Sequence, residues 1–364
     1  MRALSIVLSA KLSDKKLLSK IEPIVANPAV ERIFLVRRYP LKGEKIISVS
    51  PPPFMRKSWL LSEIYRILSL FFILIFRKVD LLIGIYFYMH GFYADFFGRL
   101  FGKPVIQVII GSDLERLSRS SKDIERLKRA DFVAARGENT RFAIIKLGVA
   151  ADKIFIPPNI FNFDITESPN INSEKRYDLI YTGNLVPVKR LDILLKAVKI
   201  VREKYGLDDI SLAVVGDGEL KDDLKRLAKD IDIDDNVEFV GFKADVFEYL
   251  RHARVFIMTS EYEGLPMSML EALSCGLPCI MPDISDISTV AIDHHNALLT
   301  DALDIEQFAD NIRKLLTDEE LYRKLSENAL KIADEKKDEY SPEHVADIWD
   351  RIFKRLFDGK TVVS

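Results

Sequence analysis

Two carboxylates eight residues apart, Glu263 and Glu271, mark the stretch SEYEGLPMSMLEALSCGLP, residues 260–278. Between them lie Gly264, Pro266 and an apolar run at helical spacing. The run VFIM at 255–258 reads as a strand before it, and Gly276 with Pro278 closes it. The order is strand, loop, helix, stop. Pro266 suits the first helical position, where a missing N–H costs nothing. The start of such a helix leaves backbone donors and the positive dipole end aimed at whatever occupies the loop, the physics of an anion site. Glu271 falls a little over one turn into the helix, so both carboxylates can line one pocket. A carboxylate in an otherwise apolar helical segment needs a partner, and a pair of hydroxyls would serve.

The elements that must position these groups alternate along 364 residues, a length that predicts two domains. In the first part, ALSIVLSA, ERIFLVRR, EKIISVS, residues 81–86, 105–110, 130–135 and 153–156 read as strands. SDKKLLSKIEPIV, which Ser13 or Asp14 could cap, reads as a helix, as do about 91–101, ended by Gly102, and LERLSR. In the second part, DLIYTGNL, SLAVVGDGEL, 237–240, 255–258, CIMP and 297–300 are strands, with helices between them. Strand and helix in alternation predict an α/β protein with parallel sheets. No GxGxxG follows the first strand, which counts against a nicotinamide-binding half there. The domains are expected at 1–165 and 176–340, joined by a polar linker over 162–176, with Ser341 and Pro342 starting a closing helix within 341–364.

Charge divides unevenly: residues 1–165 carry 27 lysines and arginines against 15 acidic residues, and the remainder 26 against 40. The basic half is either an ordinary solvated surface or one attracted to an anionic membrane face. Within it, LLSEIYRILSLFFILIF ends in ten residues, Ile67 to Phe76, that are apolar except for Ser69. Ten are too few to span a bilayer. A buried helix is the first reading; the alternative is an interfacial helix with Arg56, Lys57, Trp59, Arg77 and Lys78 at the headgroup level. Cys275 and Cys279 are poorly placed for a bridge, and the expected setting is reducing and cytoplasmic. Five scattered histidines make no metal cluster. Asp113, at the carboxyl end of a strand, reads equally as a ligand-edge residue or as a helix N-cap.

Several motifs in one order, GNLVPVK (183–189), VVGDGEL (214–220), VGF (240–242), the 260–278 stretch and DHHNALL around Asn296, resemble the glycosyltransferase family 4 group. That resemblance implies a GT-B fold: two Rossmann-like parallel-sheet domains facing across a cleft, the first on the acceptor side, the second for the nucleotide sugar, and a last helix crossing back to the first. It also implies a retaining hexosyltransferase acting on a UDP-, GDP- or ADP-sugar and a saccharide or lipid-linked acceptor, without cofactor or metal. Nucleic acid is not expected as a partner. The protein would be cytoplasmic or peripheral on the inner face of a membrane. Lys189 would pair with the diphosphate, Glu271 would accept from the ribose hydroxyls, and Glu263 would hold the donor sugar near its charged transition state. Gly183, Asn184, Arg190, Gly216, Gly241, Phe242 and the amides of Gly264 and Leu265 would complete the donor site.

This chain departs from the family pattern in several places, the absence of a Gly-rich first loop and Arg190 at a position often held by glycine among them. Asn184 stands where an arginine usually joins the lysine, with Arg190 as a substitute cation. Ile110 stands where a histidine usually reaches the donor, so His90, Gly111 and Asp113 are the expected contacts from the first domain. A catalytically weakened nucleotide-sugar-binding protein and a sugar-nucleotide epimerase of the same fold are the alternatives.

Overall fold

The computed structural model describes residues 4–10, 14–110, 113–163, 175–284 and 286–358. Ser13, Gly111 and residues 164–174 of the expected linker lie outside the described residues. The chain forms two compact units: Met1–Ile160 with Glu339–Ser364, and Phe161–Asp338.

Unit 1 is built on a seven-stranded sheet in the order β3-β2-β1-β4-β5-β6-β7. The strands are β1 (Leu4–Ala10), β2 (Val30–Val36), β3 (Ile46–Val49), β4 (Leu81–Ile85), β5 (Val105–Val108), β6 (Phe132–Ala134) and β7 (Ile154–Phe155), and every pairing is parallel. β1 and β4 are buried along their whole length, which is why their sequences are nearly continuous apolar runs. Alternate residues serve opposite faces: Leu4, Ile6 and Leu8 enter one core cluster, Val7 the other.

The first cluster also takes in Val345, Trp349, Ile352 and Phe353 of the helix Pro342–Asp358. The Trp349 ring meets Phe155 edge-on at 5.1 Å, and Ser341 Oγ accepts from the His344 N–H as the expected cap. On the other face lie the helices Trp59–Phe76 and Phe92–Phe101. Gly102 ends the latter with a left-handed φ of 60°, as expected.

Two readings need correction. Trp59–Phe76 is not a buried helix; only Ser62, Glu63, Arg66, Leu70, Ile73 and Leu74 are buried, because the helix packs on the sheet along one side. The helices Ser121–Arg129 and Glu138–Lys146 were not foreseen, since the first buries only Leu127 and the second only Thr140 and Ile144, too little for an apolar period.

Unit 2 has a six-stranded parallel sheet in the order β10-β9-β8-β11-β12-β13. Its strands are β8 (Tyr177–Thr182), β9 (Leu212–Val215), β10 (Val237–Gly241), β11 (Ala253–Ile257), β12 (Cys279–Pro282) and β13 (Ala297–Thr300). Leu191, Leu194, Leu195, Val198 and Val201, read from the sequence as one helical face, all enter its core beside Phe308 and Ile312. The helix itself starts at Leu191, after a short 3-10 turn, Pro187–Lys189.

Candidate functional site

The carboxyl ends of β8, β9 and β10 meet through glycine. Gly183, Gly216 and Gly241 follow or end these strands with φ of 156°, 157° and 83°. The Gly216 N–H donates to the Gly241 carbonyl at 2.9 Å, and the Gly183 N–H to the Val215 carbonyl at 3.0 Å. A Cβ at Gly216 would run into the Gly183 carbonyl oxygen, so the close approach of two backbones requires glycine there. Gly264 differs: nothing lies within 4 Å of where its Cβ would be, so packing does not demand glycine. Phe242, just past Gly241, is 76% exposed and offers a ring face.

The 186–190 turn and the loop after β11 are stitched into one body. The Thr259 hydroxyl donates to the carbonyl oxygens of Lys189 and Arg190, 3.0 Å each, and the Glu261 N–H donates to the Val188 carbonyl at 2.9 Å. Across this seam the Lys189 ammonium pairs with Glu263 Oε1, to which Ser260 Oγ also donates at 3.0 Å. Both side chains are largely covered, 20% exposed for Lys189 and 15% for Glu263. The pairing therefore sits in a medium of lowered dielectric and couples the two groups more strongly than a surface pair. Below them the Tyr181 hydroxyl donates to the Asn184 carbonyl at 3.0 Å. Burial, with the Glu263 charge added, raises the Tyr181 phenol far above its ordinary range.

Arg190 is held differently. Its backbone is left-handed, φ 48°, and its guanidinium makes a bidentate pair with Asp192 at 3.0 Å and 3.0 Å. That arginine has a partner of its own in the first turn of the next helix.

The helix carrying Glu271 runs Met267–Ser274, one residue later than read from the sequence. Pro266 occupies the N-cap, with ψ of 126°, because its backbone is extended. Leu265 precedes it, half-buried. Glu271 stands on the helix, half-buried, and its charge adds to the burial that pushes the Cys275 thiol up to about 12. Cys275 and Cys279 are both free and buried. Asn296 staples its loop, accepting from the Ile292 N–H at 2.6 Å and donating to the Val290 carbonyl at 3.0 Å.

In unit 1, His90 is wholly buried; its Nδ1 lies 2.6 Å from Ser9 Oγ and its ring stands edge-on to Tyr93. Asp113 is 1% exposed and is the first residue of its helix, Asp113–Ser118; its Oδ2 accepts from the Phe87 N–H at 3.1 Å and the Ile110 N–H at 2.8 Å. Burial pushes this carboxyl up to about 6, outweighing the backbone donors that stabilise its charge. His90 is thus part of the π-helical turn Phe87–Gly91, and Asp113 holds the first residue of that turn. Gly111 lies outside the described residues.

Sequence reading assigned no role to Thr259, Ser260, Tyr181 or Asp192. A Thr-Ser pair directly after an apolar strand was the available signal for the first two. Among the described residues, no three His, Cys, Asp or Glu side chains gather as a metal site.

Residues 163–332 match the family described as Glycosyl transferases group 1. Over 300 residues the chain is 27% identical to the UDP-Gal:alpha-D-GlcNAc-diphosphoundecaprenol alpha-1,3-galactosyltransferase of Escherichia coli, covering 76% of each chain. Over 158 residues it is 35% identical to the N-acetyl-alpha-D-glucosaminyl L-malate synthase of Bacillus anthracis, covering 43% of this chain and 40% of that one. Apart from the Escherichia coli protein, the chain spans less than half the length of the first curated relatives it matches. Among solved structures, Anabaena HepE in complex with UDP-glucose superposes with a TM-score of 0.75 at 15% identity, over 96% of this chain and 100% of that one. The fold is accordingly GT-B, with a parallel-sheet domain in each unit.

Proposed function

Residues 163–332 match the family described as Glycosyl transferases group 1, and from that match we propose that the chain is a retaining glycosyltransferase moving a hexose from a nucleoside diphosphate to a saccharide or lipid-linked acceptor. The observation that carries this reading is the Lys189–Glu263 pair, set beside the glycine-lined ends of β8 to β10. A diphosphate arriving at Lys189 gives the ammonium a second anionic partner, offsetting the charge that builds on the leaving group as the glycosidic bond breaks. Glu263, now sharing Lys189 with the diphosphate, then holds sugar hydroxyls and lends negative charge near the oxocarbenium-like centre. Glu271 receives the ribose hydroxyls, and the amides at the start of its helix face the phosphates. Phe242 and Gly241 lie at the base. No metal or cofactor enters the reading.

The relatives favour a uridine donor first, since the Escherichia coli protein is named for UDP-Gal and HepE holds UDP-glucose. The same Escherichia coli name supports a lipid-diphosphate acceptor; on this reading the protein works from the cytoplasm at the inner face of a membrane. Incubation with a panel of UDP-, GDP- and ADP-hexoses tests this, with free nucleoside diphosphate as the readout. Release from one donor, dependent on acceptor, is expected. One observation favours a second reading, a nucleotide-sugar-binding protein that has lost transfer. Asn184 brings no charge, and Arg190 is held by Asp192 rather than beside Lys189. Tight nucleotide binding with no release from any donor would establish that reading instead.

A further inference from the structure

We infer that unit 1 docks on an anionic phospholipid surface through the outer face of the Trp59–Phe76 helix and the basic hollow beside it. The helix is charged on the inside and apolar on the outside. Its two ionisable carboxylate and guanidinium side chains, Glu63 and Arg66, are 7% and 4% exposed and pair with each other against the sheet. The Tyr93 hydroxyl donates to Glu63 at 2.7 Å, completing that pair. Outward stand Trp59, Ile64, Leu68, Phe72, Ile75 and Phe76, with Trp59 59% and Phe76 72% exposed. A water-facing helix has the opposite arrangement, because burying an ion pair costs desolvation and exposing aromatics forfeits their burial. An uninterrupted apolar face of this size marks an interaction surface.

The face continues onto the neighbouring helix through Phe71, whose ring meets Phe101 at 5.9 Å, to exposed Phe92, Phe96 and Leu100. Cations frame it. Lys57 precedes the long helix, and Arg77 and Lys78 follow it, all exposed. Along the second helix, Arg99, Lys103, Arg126 and Arg129 line a hollow of about 480 Å³. Two carboxylates share it, and both are engaged: Asp95 by Arg129 at 2.9 Å and Asp131 by the Val105 N–H at 2.8 Å. The Arg126 guanidinium, which pairs with Asp123 at 2.5 Å, lies over the Phe92 ring at 4.8 Å, which places a cation directly beside the apolar stripe, where a phosphate would compete with Asp123 for it. That is the layering of a phospholipid monolayer, anion above acyl chain.

The charge pattern also selects among occupants. A second copy would set two cationic rims against each other, which like charges disfavour. The helix is 18 residues long and apolar enough to cross a bilayer, but Leu70, Ile73 and Leu74 are packed into the sheet with Val7, Phe34 and Val36. A helix fastened to a sheet along one side lies flat in the interface instead.

Co-sedimentation of the whole chain with vesicles tests the assignment without any donor, so its failure and that of the transferase reading are separate events. The protein is expected to pellet with phosphatidylglycerol–phosphatidylcholine vesicles and far less with pure phosphatidylcholine, and to be released by salt. Arg77→Gln, Lys78→Gln and Arg126→Gln should each lower partitioning about fivefold, the equivalent of ~1 kcal/mol per cation. Leu68→Glu with Phe72→Glu should abolish it while leaving thermal unfolding unchanged, since both positions are half exposed. Failure to pellet with anionic vesicles overturns the assignment. So does unchanged binding of the double variant, or a concentration-dependent dimer that the same variant makes monomeric.

Discussion

The carboxyl edges of the two sheets are the same place in two similar topologies, and they are furnished in opposite ways. In unit 2 the strands β8 to β10 end in glycines, and the groups beside them, Lys189 and Glu263, are charged, partly exposed and paired with each other. In unit 1 the end of β4 is closed by side chains. Tyr86 takes a φ of 77°, Asp113 and His90 are buried, and Gln107 donates to the Gly91 carbonyl at 2.9 Å. One edge keeps its polar groups where a ligand can compete for them. The other uses Asp113 Oδ2 and Gln107 Nε2 to hold a turn, and leaves Asp113 Oδ1 and Gln107 Oε1 buried without a hydrogen bond among the described residues. Having the right residue types at a sheet edge is therefore not enough to make a site; their partners decide whether chemistry is available.

Four substitutions test this contrast. The largest effect is expected for Glu263→Gln, which should lower turnover on the order of 10²–10³-fold with nucleotide affinity nearly unchanged, measured by steady-state kinetics and calorimetry. Equal turnover would remove Glu263 from the chemistry. Next, Gly216→Ala should destabilise unit 2 by about 3 kcal/mol, because its Cβ meets a backbone carbonyl that cannot step aside. A melting temperature like that of the natural chain would show that the glycine edge is not closely packed.

Asp113 is the third test, through pH. Its folded pKa, about 6, is raised above the ordinary carboxylate value of about 4, so the proton is held more tightly in the native state. The stability it contributes is complete below about pH 4 and is lost as pH rises through about 6. Comparison with Asp113→Asn across that window should show the natural chain losing on the order of 2–3 kcal/mol relative to the variant. A difference that is flat in pH would mean the carboxyl is not closed in. The smallest stability effect belongs to Gly264→Ala, within about 0.5 kcal/mol, since open space surrounds that position. Its turnover should fall all the same if a ligand backs onto the loop.

Much of this was legible in the sequence, for physical reasons that differ by region. The thirteen strands among the described residues were readable, most of them because buried parallel strands leave nearly unbroken apolar runs, as LSIVLSA and LLIGI do. The pairing of Lys189 with Glu263 could not be read, since it joins residues 74 apart through a seam made by Thr259 and backbone carbonyls. Nor could the commitment of Arg190 to Asp192, where an arginine next to a lysine looked like a second cation for the same ligand. The Trp59–Phe76 helix misled for another reason. Apolar residues lie on all its sides, so periodicity carried no sign of which side faced the sheet, and Glu63 and Arg66 turned out to be the inner ones. The turn at Phe87–Gly91 depends on a positive φ at a tyrosine, a conformation that tyrosine itself does not announce.

The helix Pro342–Asp358 has a temporal consequence. Unit 2 is one continuous segment, whereas unit 1 needs residues that the ribosome adds after all of unit 2. Until Trp349 and Phe353 emerge, the cluster around Phe132 and Phe155 lacks one wall. Of the two units, the one translated first is thus the one that finishes folding last, and its apolar sheet face must wait, uncovered, until residues 342–358 are made.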